Sequence, residues 1–175
     1  MLGTVDDLLE TLLDFADPLA PAAWESIGDR VMGGRSTGAF TRVPGGPAVF
    51  LGEISLENGG GFASVRSAPG AFDLSRHDGL VLEVRGDGRG YKLSIRTDPW
   101  FDGVAWQAPF ATRAGSWEAI RLPLADFRPT WRGRPVPGAG RLEAGRVATF
   151  GLTVAERRSG PFRLEVAALR AYRAR

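Results

Sequence analysis

The feature that most limits what this chain can fold into is a two-residue period. Residues 48–56 place Phe50, Gly52, Ile54 and Leu56 on one side. Residues 79–86 set Leu80, Leu82 and Val84 against Glu83 and Arg85, and residues 91–97 set Tyr91, Leu93 and Ile95 against Lys92, Ser94 and Arg96. Residues 104–112 align Val104, Trp106, Ala108 and Phe110. Segments 116–122, 147–155 and 161–172 also read as strands. Successive side chains of a strand point to opposite faces, so this pattern predicts strands with one face on a core and one toward solvent. Between them stand PGG at Pro44, NGGG at Asn58, GDGRG at Gly86 and RSG at Arg158, all turn chemistry. About nine or ten such strands make an all-β sandwich or barrel. Two stretches depart from the period. Leu8, Leu9, Leu12 and Leu13 recur at helical spacing and predict a short N-terminal helical segment over residues 5–13. Residues 128–146 are the longest irregular part, a lid or a crossover loop.

A chain of 175 residues is read as one domain, 1–175, large enough to bury a core without a metal or disulfide staple. It has no cysteine, which excludes disulfides, thiolate zinc sites and cysteine nucleophiles. Its one histidine, His77, cannot build a histidine-rich metal site, and no dense acidic loop suggests calcium. No metal and no cofactor are expected. Basic and acidic residues nearly balance, 22 against 20, and Lys92 is the only lysine. Without a basic run, nucleic acid is not an expected partner. Asp6, Asp7 and Glu10 open the chain with no basic residue, unlike a signal peptide or an organelle presequence. No stretch approaches the ~20 apolar residues of a membrane span. The expectation is a cytoplasmic protein that does not span a membrane.

The stretch ENGGGFASVRS, residues 57–67, carries the most pointed chemistry. A phosphate-cradling loop would be followed by a helix, yet residues 62–67 alternate like a strand. Asn58 to Gly61 is therefore expected to be a hairpin turn with positive φ, and the GDGRG segment a second hairpin turn. Phe62, Ser64 and Arg66 share one face, Ala63, Val65 and Ser67 the other. If the small row packs inward, Arg66 looks out from a polar sheet face, where its fork suits a carboxylate or another polar group. The plainer account is an ion pair with Asp29, Glu53 or Asp87. Arg96 and Gln107 lie opposite apolar rows on adjacent strands, so Asn58, Arg66, Arg96 and Gln107 are expected to form one polar patch. Asp29, Met32, Gly33, Gly34 and Ser36 form a glycine turn: either Asp29 caps backbone N–H groups, or the exposed loop meets a ligand or partner. Trp106 and Trp117 are assigned to the core, while Trp100 and Trp131 are exposed loop candidates for ligand contact. His77 is read as a surface turn residue beside Asp73 or Asp78. No motif supports a Ser-His-acid arrangement, so no catalytic residue and no enzymatic activity are expected.

The blocks WESIGDRVMGGRSTGAF, VFLGEISLENGGGFASVRS, DLSRHDGLVLEVRGDGRGYKLSIR, WEAIRLPLADFRPTWRGR and FGLTVAERRSGPFRLEV occur in that order from about residue 13 to 172. In this order they resemble the complex I intermediate-associated protein 30 family. The resemblance implies a jelly-roll β-sandwich of the galactose-binding-like type, a fold also used by carbohydrate-binding modules. It further implies a chaperone-like assembly factor for a membrane or respiratory complex, and so a protein partner. The alternative is a carbohydrate- or small-ligand-binding module using the concave sheet face. Neither a presequence nor a fused partner domain is read in the sequence, so the mitochondrial role is not carried over unchanged.

Overall fold

The computed structural model describes residues 7–17, 24–28, 34–100, 102–154 and 156–175. These form thirteen strands: β1 (Leu8–Asp14), β2 (Trp24–Gly28), β3 (Thr37–Arg42), β4 (Ala48–Ile54), β5 (Ala63–Ser67), β6 (Gly79–Arg85), β7 (Gly90–Arg96), β8 (Ala105–Ala111), β9 (Trp117–Pro123), β10 (Arg128–Trp131), β11 (Arg134–Pro135), β12 (Thr149–Val154) and β13 (Gly160–Arg173). One sheet runs β3-β4-β13-β6-β9, with β1 also on β13. The other runs β11-β10-β8-β7-β12-β5-β2. Every strand pair is antiparallel. This is the β-sandwich that the alternation predicts.

The inward rows meet between the sheets. Leu80, Leu82 and Val84 of β6 are buried, as are Tyr91, Leu93 and Ile95 of β7 and Phe150, Leu152 and Val154 of β12. Aromatic rings bridge the layers. Phe50 meets Phe162 edge-on at 4.8 Å and Tyr91 at 6.3 Å, and Tyr91 stacks with Phe110 at 6.0 Å. Such offset and edge contacts add roughly 0.5–1.5 kcal/mol per pair beyond the area they bury.

The N-terminal helical segment is corrected: Leu8–Asp14 is a strand. It pairs with the second half of β13, from Leu8 opposite Arg173 to Asp14 opposite Ala168. A short isolated helix is marginal in water, whereas β13 offers a free edge of backbone hydrogen bonds. Leu12 and Leu13 pack on the core, while Leu8 and Leu9 stay exposed.

Two expected hairpin turns are also corrected. Asn58 (φ 54°) and Gly59 (φ 71°) do adopt left-handed conformations, but they lead from β4 in one sheet to β5 in the other. The GDGRG segment likewise carries the chain from β6 across to β7. Positive-φ residues reverse a chain equally well in a hairpin or in an arch between layers, so turn chemistry does not choose between them. Residues 128–146 are not featureless either. They contain the β10–β11 hairpin, whose tip holds Arg132 (φ 48°) and Gly133 (φ 76°).

Asp87 and Arg89 hold this β6–β7 crossover to the one between β12 and β13. Arg89 is buried and donates to the carbonyls of Pro161 (3.1 Å), Arg158 (2.8 Å) and Ser159 (3.2 Å). Asp87 accepts from the backbone N–H of Arg89 (3.0 Å) and Arg163 (2.8 Å) and from the Tyr91 hydroxyl (3.0 Å). Burial first, and Asp87 second, push the Tyr91 phenol well above its usual range.

Two further expectations change. His77 is mostly buried and meets Glu10 of β1 (Nε2 to Oε2, 3.0 Å), not Asp73 or Asp78, because β1 lies as a strand beside it. Trp117 is exposed rather than core, since it opens the edge strand β9 on its outer face, under the Arg85 guanidinium at 5.2 Å.

Gly38 and Gly52 face each other across β3 and β4. A Cβ on Gly52 would lie 2.0 Å from the Thr37 carbonyl oxygen. Backbone must move to admit it, so Gly52→Ala should cost about 3 kcal/mol, the upper range for overpacking. A lower urea midpoint at unchanged slope checks this.

Candidate functional site

The outward rows of the seven-stranded sheet surround a hollow of about 400 Å³. Because Ala63 and Val65 point into the core, Phe62, Ser64 and Arg66 look out, as the alternation requires. The same parity turns out Lys92, Ser94 and Arg96 of β7, Ala105 and Gln107 of β8, and Thr149, Gly151 and Thr153 of β12. Strand register then sets the floor. Gly151 lies opposite Arg66 on one side and Ser94 on the other, and Ser94 lies opposite Gln107. Gln107 Nε2 donates to Ser94 Oγ at 3.0 Å. Arg66, Gly151, Ser94 and Gln107 therefore form one transverse row.

Loops build the rim. Asp102 accepts from Arg132 (2.8 Å) and from the Trp131 indole N–H (2.9 Å), joining the β7–β8 loop to the β10–β11 hairpin. The Arg132 guanidinium also lies over the Trp131 ring at 4.9 Å. Arg96 is 5% exposed; its Nη2 donates to the Trp100 carbonyl at 2.8 Å and lies 3.5 Å from Asp98. Gly103 lets the loop close on that guanidinium, since a Cβ there would lie 2.7 Å from Nη2.

Of the residues expected to bind, Ser64, Arg66, Arg96 and Gln107 are brought together. Ser64 also donates to the Ile27 carbonyl (2.8 Å), which ties β5 to β2. Asn58 is not brought in: it is exposed in the inter-sheet turn, where its left-handed backbone serves the crossover. Ser36 is buried elsewhere, its hydroxyl donating to the Ser55 carbonyl (3.1 Å) and accepting the Ser55 N–H (3.0 Å). Trp100 and Trp131 are exposed at 71% and 43%, but neither is among the residues lining the hollow. Trp131 ends strand β10 rather than lying in a loop. Asp29, Met32 and Gly33 lie outside the described residues. Of the partners suggested for Arg66, Asp29 lies outside the described residues, and the other two carboxylates are placed elsewhere. Asp87 serves Arg89, Tyr91 and Arg163, Glu53 belongs to the other sheet, and the cross-strand neighbour of Arg66 is Glu25.

Lys92, Thr149, Gly151, Thr153, Thr130, Asp102 and Arg132 join the site without having been singled out. The first four were legible in principle: they share parity with Arg96 or lie opposite the apolar row of β12, and a lone glycine inside a strand marks close approach. The rim residues depend on loop packing that no period encodes. Burial first, and the Arg96 charge second, lower the Arg66 guanidinium below its ordinary value; Glu25, Asp98 and Asp102 act in the opposite direction. Among the described residues no group of three or more potential metal ligands occurs.

Residues 13–166 match the family model described as complex I intermediate-associated protein 30. The chain belongs to that family. A relative named mitochondrial complex I intermediate-associated protein 30 in Drosophila melanogaster is 27% identical over 180 residues, covering 90% of this chain and 60% of its own. The protein of that name in Mus musculus is 29% identical over 164 residues, covering 82% and 50%. A Caenorhabditis elegans protein named as a probable member is 30% identical over 152 residues, covering 76% and 45%. The chain thus spans about half the length of these curated relatives. Among solved structures, the family 11 carbohydrate-binding module of a Clostridium thermocellum cellulase superposes with a TM-score of 0.70 at 16% identity, covering 96% of this chain and 95% of the module. Another structure of that module, with a β-1,3-1,4-mixed-linked tetrasaccharide, gives 0.70 at 17%, covering 95% and 96%. At these identities the likeness is one of fold, and it supports the jelly-roll type.

The cytoplasmic expectation is corrected by these relatives, whose names place them in mitochondria. It rested on the acidic opening residues, whereas the family match begins only at residue 13 and the signals that direct a chain to an organelle lie outside a folded sandwich. No helix among the described residues is long and apolar enough to cross a membrane.

The Asp102 clasp carries a pH signature. Its hydrogen bond with Arg132, first among the causes, holds the Asp102 carboxyl below the usual carboxylate range. The contribution is present above the unfolded value of about 4 and lost as pH falls through the lower folded value. The Trp131 indole N–H resonance should hold steady from neutral pH to about 4 and move only below it. A midpoint above 4 would contradict the clasp.

Proposed function

We propose that this chain is a non-enzymatic binding protein that acts as an assembly factor, engaging a protein client of a membrane-bound respiratory complex through the hollow of the seven-stranded sheet. The observation that carries this reading is the row Arg66, Gly151, Ser94 and Gln107 at the floor of a cavity of about 400 Å³. That is the size range of recognition sites, and arginine is a common anchor of protein interfaces. The names of the relatives, which associate them with complex I intermediates, support the kind of client. A second reading, a carbohydrate or small polar ligand in the same hollow, draws on the Gln107–Ser94 amide–hydroxyl pair. It is weakened by the tryptophans, since Trp100 and Trp131 do not line the floor and Arg132 covers the ring of Trp131.

The sequence supplies its own reporter. Lys92, the single lysine of the sequence, lines the hollow, so an amine-reactive crosslinker attached there reports on that surface. In mild-detergent extracts, Lys92 crosslinks should connect to respiratory-complex subunits. Thr153→Trp, which fills the cavity from a half-buried strand position, should reduce them at least tenfold while the thermal midpoint stays within a few degrees. Crosslinks to such subunits that persist in Thr153→Trp would overturn the reading. A glycan array follows if no subunit is captured.

A further inference from the structure

We propose that the floor of the hollow is a carboxylate site, built by Arg66, Lys92 and Arg96 around the bare backbone of Gly151. It rests on the reading of this hollow as the recognition face, and it names the chemistry recognised there.

The argument begins with register. Arg66 faces Gly151 across β5 and β12, and Ser94 faces Gly151 across β12 and β7. Lys92 and Arg96 stand two residues to either side of Ser94 on the same face, roughly 7 Å away along the strand. Three cationic side chains thus surround one point of the sheet that carries no side chain. Gly151 keeps the point low. A Cβ there would lie 3.0 Å from the Val65 carbonyl oxygen and 3.5 Å from Ser94 Cβ. Ser94, Gln107 and Thr153 add hydroxyl and amide donors to the same floor.

Charge points the same way. Among the described residues, the lining holds five cationic side chains, Arg66, Lys92, Arg96, Arg132 and Arg157, against one carboxylate, Asp102. That carboxylate is engaged at the rim by Arg132 and Trp131. Asp98 lies against Arg96 and Glu25 is the cross-strand neighbour of Arg66, so both arginines have acidic company at the edges of the floor. A separate observation concerns Thr149. It lines the hollow opposite Arg96, is 3% exposed, and its hydroxyl finds no hydrogen-bond partner among the described residues. A buried hydroxyl in that condition calls for a partner. Placing Arg66 and Arg96 in one partly buried space also depresses the Arg66 guanidinium, a cost that an anion between them would relieve. A carboxylate matches a planar guanidinium fork better than a spherical anion does.

The carboxylate could belong to an acidic side chain of a client polypeptide or to a free organic acid, and the test separates the two. Glutarate, a blocked peptide with a central glutamate, and the same peptide with glutamine are titrated into the protein by calorimetry and by NMR of the arginine Nε–H and Lys92 signals. Glutarate and the glutamate peptide should bind, and the glutamine peptide at least tenfold more weakly. Arg66→Gln should weaken glutamate-peptide binding tenfold or more, and Lys92→Gln several-fold, with both variants keeping the wild-type circular dichroism spectrum. Tighter binding of the peptide than of glutarate assigns the site to a polypeptide client; equal binding assigns it to a free acid. Equal binding of the two peptides, indifference to both substitutions, or no binding at about 10 mM ligand would overturn the inference. If carboxylates fail while Thr153→Trp still abolishes client crosslinking, only this inference falls. If carboxylates bind while client crosslinks survive Thr153→Trp, the carboxylate site stands and the client-binding reading falls.

Discussion

A guanidinium inside a β-sandwich must be answered by acceptors, and at one end of this molecule Arg89 is answered by three backbone carbonyls. Two of them, those of Arg158 and Ser159, belong to the crossover from β12 to β13 and the third, that of Pro161, to the start of β13, while Arg89 itself sits at the crossover from β6 to β7. Two inter-sheet connections are thereby fastened to each other, with Asp87 closing the arrangement from the other side. A buried charge so fully engaged costs several kcal/mol if its partners are left without it. The stacking of the two sheets, and with it the shape of the open face of β5, β12, β7 and β8, follows from connections held in this way.

The same residue type has a different part on that open face. Arg66 and Arg96 lie on strands flanking β12, and the first is depressed in basicity by burial and by the second. Arg89 is surrounded by carbonyls that complete it. Arg66 and Arg96 share a cavity with each other, with Lys92 and with a row of hydroxyl and amide groups. The contrast is one of place: Arg89 fastens two connections between the sheets, whereas Arg66 and Arg96 stand on the face around the hollow.

Much of this was legible from residue order. The parity of ASVRS turned Arg66 outward, and the parity of YKLSIR and AWQAPF placed Arg96 and Gln107 on the same side, so the centre of the site could be read before any contact was known. Asn58 could not be excluded in the same way, because its place depends on whether NGGG closes a hairpin or arches between sheets. The leucines of LLETLLD satisfied a helical and a strand period alike, and pairing with β13 decided between them. Trp117 had strand parity but stands on an edge strand, where parity does not ensure cover.

The sequence by itself determined the central strand segments, the side to which most of their residues point, and the family, since all three are properties of residue order along one chain. Tertiary structure alone decided which strands share a sheet, that β5 and β7 flank β12, and that a glycine lies between Arg66 and Ser94. The physical reason is one of range. Alternation is dictated by backbone geometry within a few residues, whereas the hollow depends on hydrogen-bond partners tens of residues apart, whose pairing is settled only when both apolar rows bury against each other.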